Sequence, residues 1–112
     1  MNCSSPYEYY YVRVCTDAAS YSARATSIDL TIEADDSITG LYTFDYTVYL
    51  QFWNGSSWGT VEKKNGWFTR AAFPSFSLSG RAGGSYRVVA DHQRKDTGAK
   101  DTIRTPGFIV KR

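Results

Sequence analysis

The stretch Thr43–Trp53, TFDYTVYLQFW, alternates apolar and polar side chains along its whole length. A period of two belongs to an extended strand with one face buried, because successive Cβ atoms point to opposite sides of the pleat. Phe44, Tyr46, Val48, Leu50 and Phe52 fall on one side; Thr43, Asp45, Thr47, Tyr49, Gln51 and Trp53 fall on the other. A sheet that is apolar on one face must bury that face against a second layer, so this segment commits the chain to a layered β architecture.

The same period recurs. In TSIDLTIEA, Ile28, Leu30, Ile32 and Ala34 share a face opposite Ser27, Asp29, Thr31 and Glu33. In SYRVVADH, Tyr86, Val88 and Ala90 point inward while Arg87, Val89 and Asp91 point outward. Tyr10, Val12 and Val14 do the same near the start, as do Phe76 with Leu78, and Ile103, Phe108 and Val110 at the end. Turn chemistry separates the runs: Asp35, Asp36 and Gly40, then Asn54-Gly55, then GRAGG at 80–84, then DTGAK at 96–100. After Asn54-Gly55 a short return strand is expected over Thr60–Lys63, with KKNG (63–66) turning the chain again. Pro106-Gly107 interrupts the last run, which suits an edge strand or a bulge. No segment carries a 3.6 period. The count is seven to eight short strands, and the fold class is an all-β, antiparallel, immunoglobulin-like or fibronectin-like β-sandwich. Tyr86, six residues past Gly80, suits the corner of such sandwiches, where a Tyr hydroxyl bonds back to the chain it has just crossed.

A chain of 112 residues fits one domain, taken as 1–112 with 1–6 as a flexible tail. Nine Tyr, six Phe and three Trp beside only three Pro favour strands. A net charge of +2, with Arg24, Arg70, Arg81 and Arg87 scattered singly, gives no nucleic-acid footprint. No stretch approaches the roughly 20 apolar residues of a membrane helix. MNCSSPYEYY lacks the apolar region of a signal peptide. The Tyr-, Ser- and Thr-rich surface nevertheless reads as extracellular, with Met1 a start placed ahead of a mature secreted chain. Cys3 and Cys15 leave three readings open: a disulfide tying the tail to the first strand, two free thiols, or a lipid-modified Cys3.

The motifs LQFWNGSSW, GGSYRVVADH and DTGAKDTIRTPGFIV, with their mutual spacing over about residues 25–110, resemble a family of uncharacterised small secreted β-sandwich proteins and domains of Gram-positive bacteria. The resemblance implies a secreted sandwich and carries no activity with it.

Catalytic constellations are missing from the sequence. His92 follows Asp91, but strand neighbours face opposite ways, and it reads as a strand-end polar residue. No Ser sits in a G-x-S-x-G context. Asp29, Glu33 and Asp45 project from flat faces that give no burial to raise an acid. One His and two Cys make no tetrahedral metal set, and Asp35-Asp36 read as turn residues before they read as calcium ligands. The expectation is a protein that is not an enzyme and has no cofactor. Asn54-Gly55-Ser56 fits a glycosylation sequon but reads as a hairpin turn.

The aromatics remain. Tyr49, Trp53, Trp58 and Trp67 are the candidate ligand-binding residues, since rings on an open sheet face stack on sugars or pack on proteins. The competing reading has Trp53 packing across its hairpin on Thr60 or Val61. Tyr7, Tyr9 and Tyr11 form a second row, a candidate for self-association by strand addition into a homo-oligomer. The reading is therefore a non-enzymatic secreted binding or surface-interaction module whose partner is a glycan or a cell-surface protein. The alternatives are a small antimicrobial or toxin-like effector and a self-associating structural subunit.

Overall fold

The computed structural model describes residues 2–4 and 12–112. Tyr7, Tyr9 and Tyr11 therefore lie outside the described residues, and with them the self-association row. All regular structure among the described residues is β: β1 (Asn2–Cys3), β2 (Val12–Thr16), β3 (Ser20–Tyr21), β4 (Ser27–Ala34), β5 (Phe44–Trp53), β6 (Trp58–Phe68), β7 (Ala71–Ala72), β8 (Ser75–Ser77), β9 (Gly84–Arg94), β10 (Lys100–Arg104) and β11 (Phe108–Val110).

These segments form two sheets. The first runs β1-β2-β4, with β7 and β8 end to end along the free side of β4. The second runs β3-β11-β9-β5-β6, with β10 beside β11 on the same flank of β9. Eleven segments among the described residues stand where seven to eight strands were expected: Phe73-Pro74 splits β7 from β8, Pro106-Gly107 splits β10 from β11, and the two-residue β1 and β3 are added. All pairings are antiparallel except β3 with β11. Asn2–Cys3, placed by the sequence in a flexible tail, pairs with Cys15–Thr16. Cys3 lies directly opposite Cys15 and is bonded to it, so of the three readings the disulfide holds.

The alternation read from the sequence is the burial pattern of the sandwich. Ile28, Leu30, Ile32 and Ala34 of the first sheet face Phe44, Val48, Leu50, Tyr86, Val88 and Ala90 of the second, all buried. Phe76 and Leu78 close the core at one edge, and Ile103, Phe108 and Val110 at another. The Tyr86 hydroxyl donates to the carbonyl of Ala82 at 2.6 Å, which is the expected corner bond. Its ring stacks on Phe108 and leans on Phe52. Burial pushes this phenol's pKa up.

The return strand is longer than expected. β6 occupies Trp58–Phe68, and Lys63–Gly66 pair with Tyr49–Tyr46 inside the ladder rather than turning the chain. The physical reason lies at Gly66. A Cβ there would fall 2.7 Å from the Tyr46 hydroxyl, so the glycine marks the close passage of backbone beneath a ring. Asn-Gly signals a turn at Asn54-Gly55, where Gly55 has φ of 100° and the Asn54 carboxamide accepts the Ser56 and Ser57 N–H groups. The same dipeptide at Asn65-Gly66 signals close packing instead. A bulge between Leu50 and Gln51 leaves Val61 as the extra residue on β6, and bulges bend and re-aim the strand that carries them.

Candidate functional site

The outward face of the second sheet is built by register. The paired outward residues of β6, β5 and β9, with those of β10, form rows across the strands. One end carries Trp67, Asp45, Gln93 and Lys100, followed by Asn65, Thr47, Asp91 and Thr102. The middle carries Lys63, Tyr49, Val89 and Arg104, then Thr60, Gln51 and Arg87. The far end carries Trp58 and Trp53, beside Ser85 and Ile109 on β9 and β11. All four candidate ligand-binding aromatics, Tyr49, Trp53, Trp58 and Trp67, therefore lie on this one face.

They do not form one patch. Trp53 opposes Trp58, with ring centroids 5.4 Å apart and planes tilted by 58°. Trp67 opposes Asp45, eight residues back along β5, about 27 Å from the tryptophan pair at the usual strand rise. Tyr49 lies between. Trp67 is the most exposed of the three indoles, at 64 %, and Trp53 follows at 38 %.

At the paired end the indoles and the segment before β11 enclose an open slot of about 430 Å³, lined by Trp53, Trp58, Ser85, Gly107 and Ile109 above buried Phe108. Trp53 packs across the hairpin on its cross-strand partner Trp58. Trp58 in turn covers the Arg87 guanidinium, 4.7 Å from the ring centre. Arg87 Nε also donates to the Gln51 side chain at 2.7 Å. Desolvation and the charge of nearby Arg104 lower the Arg87 pKa.

At the Trp67 end an open groove of about 750 Å³ runs across four strands, and it is polar, with Asp45, Asn65, Asp91, Gln93 and Thr102 among its walls. Asp45 is paired with Lys95 at 3.1 Å. Asp91 accepts the Thr102 hydroxyl at 2.6 Å. Partial burial and the Asp91 carboxylate push the Tyr49 phenol's pKa up.

His92 is not the strand-end polar residue the sequence suggested. It is 1 % exposed, on the core side of β9, edge-on to Phe44. Burial holds its pKa below the usual imidazole range, against the opposing pull of Asp101 and Asp91. Among the other acids, Glu33 pairs with Arg13 at 2.6 Å, and Asp29 accepts the Ser27 and Ser75 hydroxyls. Asp35 accepts the Ser37 N–H as a turn residue. These carboxylates are used by the fold.

Arg87, Arg104 and Gln51 belong to the face and were not among the candidates. Alternation already turned Arg87 outward; what the sequence lacked was the register that sets it under Trp58 and next to Arg104.

A search of curated proteins found no match. The two-sheet all-β architecture agrees with a family model that matches residues 3–105, the YqgA MG2 macroglobulin domain. The disulfide is compatible with an extracellular protein, as a macroglobulin-like domain of immunoglobulin-like fold is with a non-enzymatic module. The chain belongs to the YqgA MG2 macroglobulin domain family, a family of small β-sandwiches.

Proposed function

We propose that this domain is a secreted, non-enzymatic binding module, of the kind carried by Gram-positive surface proteins, and that it holds a glycan or a cell-surface protein against the outward face of its second sheet. The observation that supports this most directly is the Trp53–Trp58 pair. Two indoles stand together at the rim of an apolar slot on a face with no third layer over it among the described residues. Large rigid rings on such a face offer contact area at low entropic cost. Asp29, Glu33, Asp45 and Asp91 are each engaged by a partner in the fold, the Ser27 and Ser75 hydroxyls, Arg13, Lys95 and the Thr102 hydroxyl, which supports a binding role over hydrolysis.

The test is binding to a panel of purified cell-wall and host polysaccharides, with Trp53→Ala beside the parent. The expected outcome is that the parent retains at least one polymer and the folded variant loses it. A parent that binds nothing on the panel removes the glycan half of the proposal.

A further inference from the structure

The open face carries an unneutralised cationic pair next to the tryptophans. Arg87 and Arg104 are diagonal neighbours on β9 and β10, since Arg104 opposes Val89, two residues beyond Arg87. Neither forms an ion pair within 4.0 Å among the described residues, although Arg13, Arg81 and Arg94 each do. Like charges set side by side on a sheet repel. Arg87 is nevertheless held firmly: its Nε is bonded to Gln51 and its plane is covered by Trp58. Those contacts leave the N–H groups of its two terminal nitrogens without an acceptor among the described residues. A guanidinium fixed by stacking, with its fork unused, is pre-organised for a planar oxyanion.

We propose that Arg87 and Arg104 form an anion-reading subsite joined to the Trp53–Trp58 slot, and that the ligand is an acidic glycan. A sugar ring seats against the indoles, and its carboxylate or sulfate bridges the two guanidinium groups. This rests on the reading of the open face as a glycan site and specifies the charge of the sugar.

The shape of the site selects a glycan over an acidic peptide. Peptides gain most of their affinity on sheets by adding a strand to a free edge. Beneath Arg87, β9 is paired on both flanks, to β5 and to β10 and β11, so no backbone ladder is open under the stacked guanidinium and the slot beside it; β10, which carries Arg104, pairs with β9 alone. What remains is side-chain recognition by a ring-sized slot with charge at one margin, and its volume falls in the range of small-ligand sites. The opposite end of the face, with Asp45 and Asp91, repels the same anion and fixes its placement at the tryptophan end.

The experiment is an NMR titration of the whole domain with glucuronate, with glucose and with acetate, following the indole N–H signals of Trp53 and Trp58 and the Arg87 Nε–H. It is paired with binding to polygalacturonate and to its methyl ester, which keeps the backbone and removes the charge. Glucuronate is expected to move all three signals, glucose to move none at equal concentration, and the ester to bind more weakly than the acid. Arg104→Gln, an exposed change, weakens acidic-sugar binding about tenfold, the scale of one charge-assisted hydrogen bond; Arg104→Lys retains most of it. Glucose or the ester acting as well as the acid overturns the anion subsite and leaves the glycan reading standing. Acetate alone matching glucuronate overturns it in favour of a bare anion site. Acidic-sugar binding that survives Arg104→Gln overturns the role of the pair. Silence from every saccharide overturns both this inference and the glycan reading it rests on.

Discussion

Two residues show how burial sets chemistry one side chain at a time. His92 is enclosed beside Phe44, and burial lowers its pKa below the unfolded value near 6.5. Between the two values the unfolded chain binds more protons than the folded one, so stability rises with pH in that window. The contribution is therefore complete above about pH 6.5 and is lost as pH falls toward the folded pKa. Urea titrations from pH 7.5 down to 4.5 should show a loss no steeper than about 1.4 kcal/mol per pH unit from this group, and His92→Leu should flatten it. Gly66 makes a steric argument. Gly66→Ala places a methyl against the buried Tyr46 ring and is expected to cost about 1–3 kcal/mol. Combining it with Tyr46→Leu, which removes the clashing atoms, should cost less than the two single changes added together. Additivity would show that the glycine serves the strand and not the ring.

Among the elements, β1 is two residues long and is held by its pairing with β2, by the Cys3–Cys15 bond and by Ser4, whose N–H donates to the Val14 carbonyl. A loop of this length closed by a disulfide stabilises by about 2–3 kcal/mol in the chain-entropy model. Cys3→Ser with Cys15→Ser should lower the unfolding free energy by that amount. Hydrogen exchange should quicken in Asn2–Ser4 and leave β5 and β9 protected, because β5 and β9 are the paired centre of the other sheet. Protection lost equally across β5 and β9 would mean that β1 and the disulfide hold the whole sandwich. The long hairpin β5–β6 behaves differently. Its bulge at Leu50/Gln51 bends the tip, and the tip carries Trp58 over Arg87.

For the whole molecule, the core and the open face make separable demands. Phe76 is fully buried between the sheets, and Phe76→Ala should cost about 3–5 kcal/mol. Trp53 is 38 % exposed and its ring leans on Trp58 at the sheet surface, so Trp53→Ala should cost no more than about 1 kcal/mol in the same urea experiment. A loss of ligand binding in that variant then reports a lost contact and not a lost fold. A cost near that of Phe76→Ala would instead place Trp53 among the residues that hold the sandwich together. The face itself is graded along the strands: aromatic at the hairpin end, with Arg87 and Arg104 in the middle rows, and polar at the Trp67 end, where Asp45, Asp91, Asn65 and Gln93 stand.

The sequence by itself determined which side chains face the core. Alternation in β4, β5 and β9 names Ile28, Leu30, Ile32, Phe44, Val48, Leu50, Tyr86 and Val88 without reference to any partner strand, because the side-chain period is a property of the extended backbone. It also placed Trp53 and Tyr49 on the outward face by the same rule. Tertiary structure alone decided which outward residues meet. Register across β6, β5, β9 and β10 sets Trp58 against Trp53, sends Trp67 to the other end and brings Arg104 beside Arg87, and register is fixed by contacts between segments distant in sequence. Asn65-Gly66 was misread for the same reason. A glycine that frees a turn and a glycine that makes room for a ring are the same letter, and only the position of Tyr46 tells them apart.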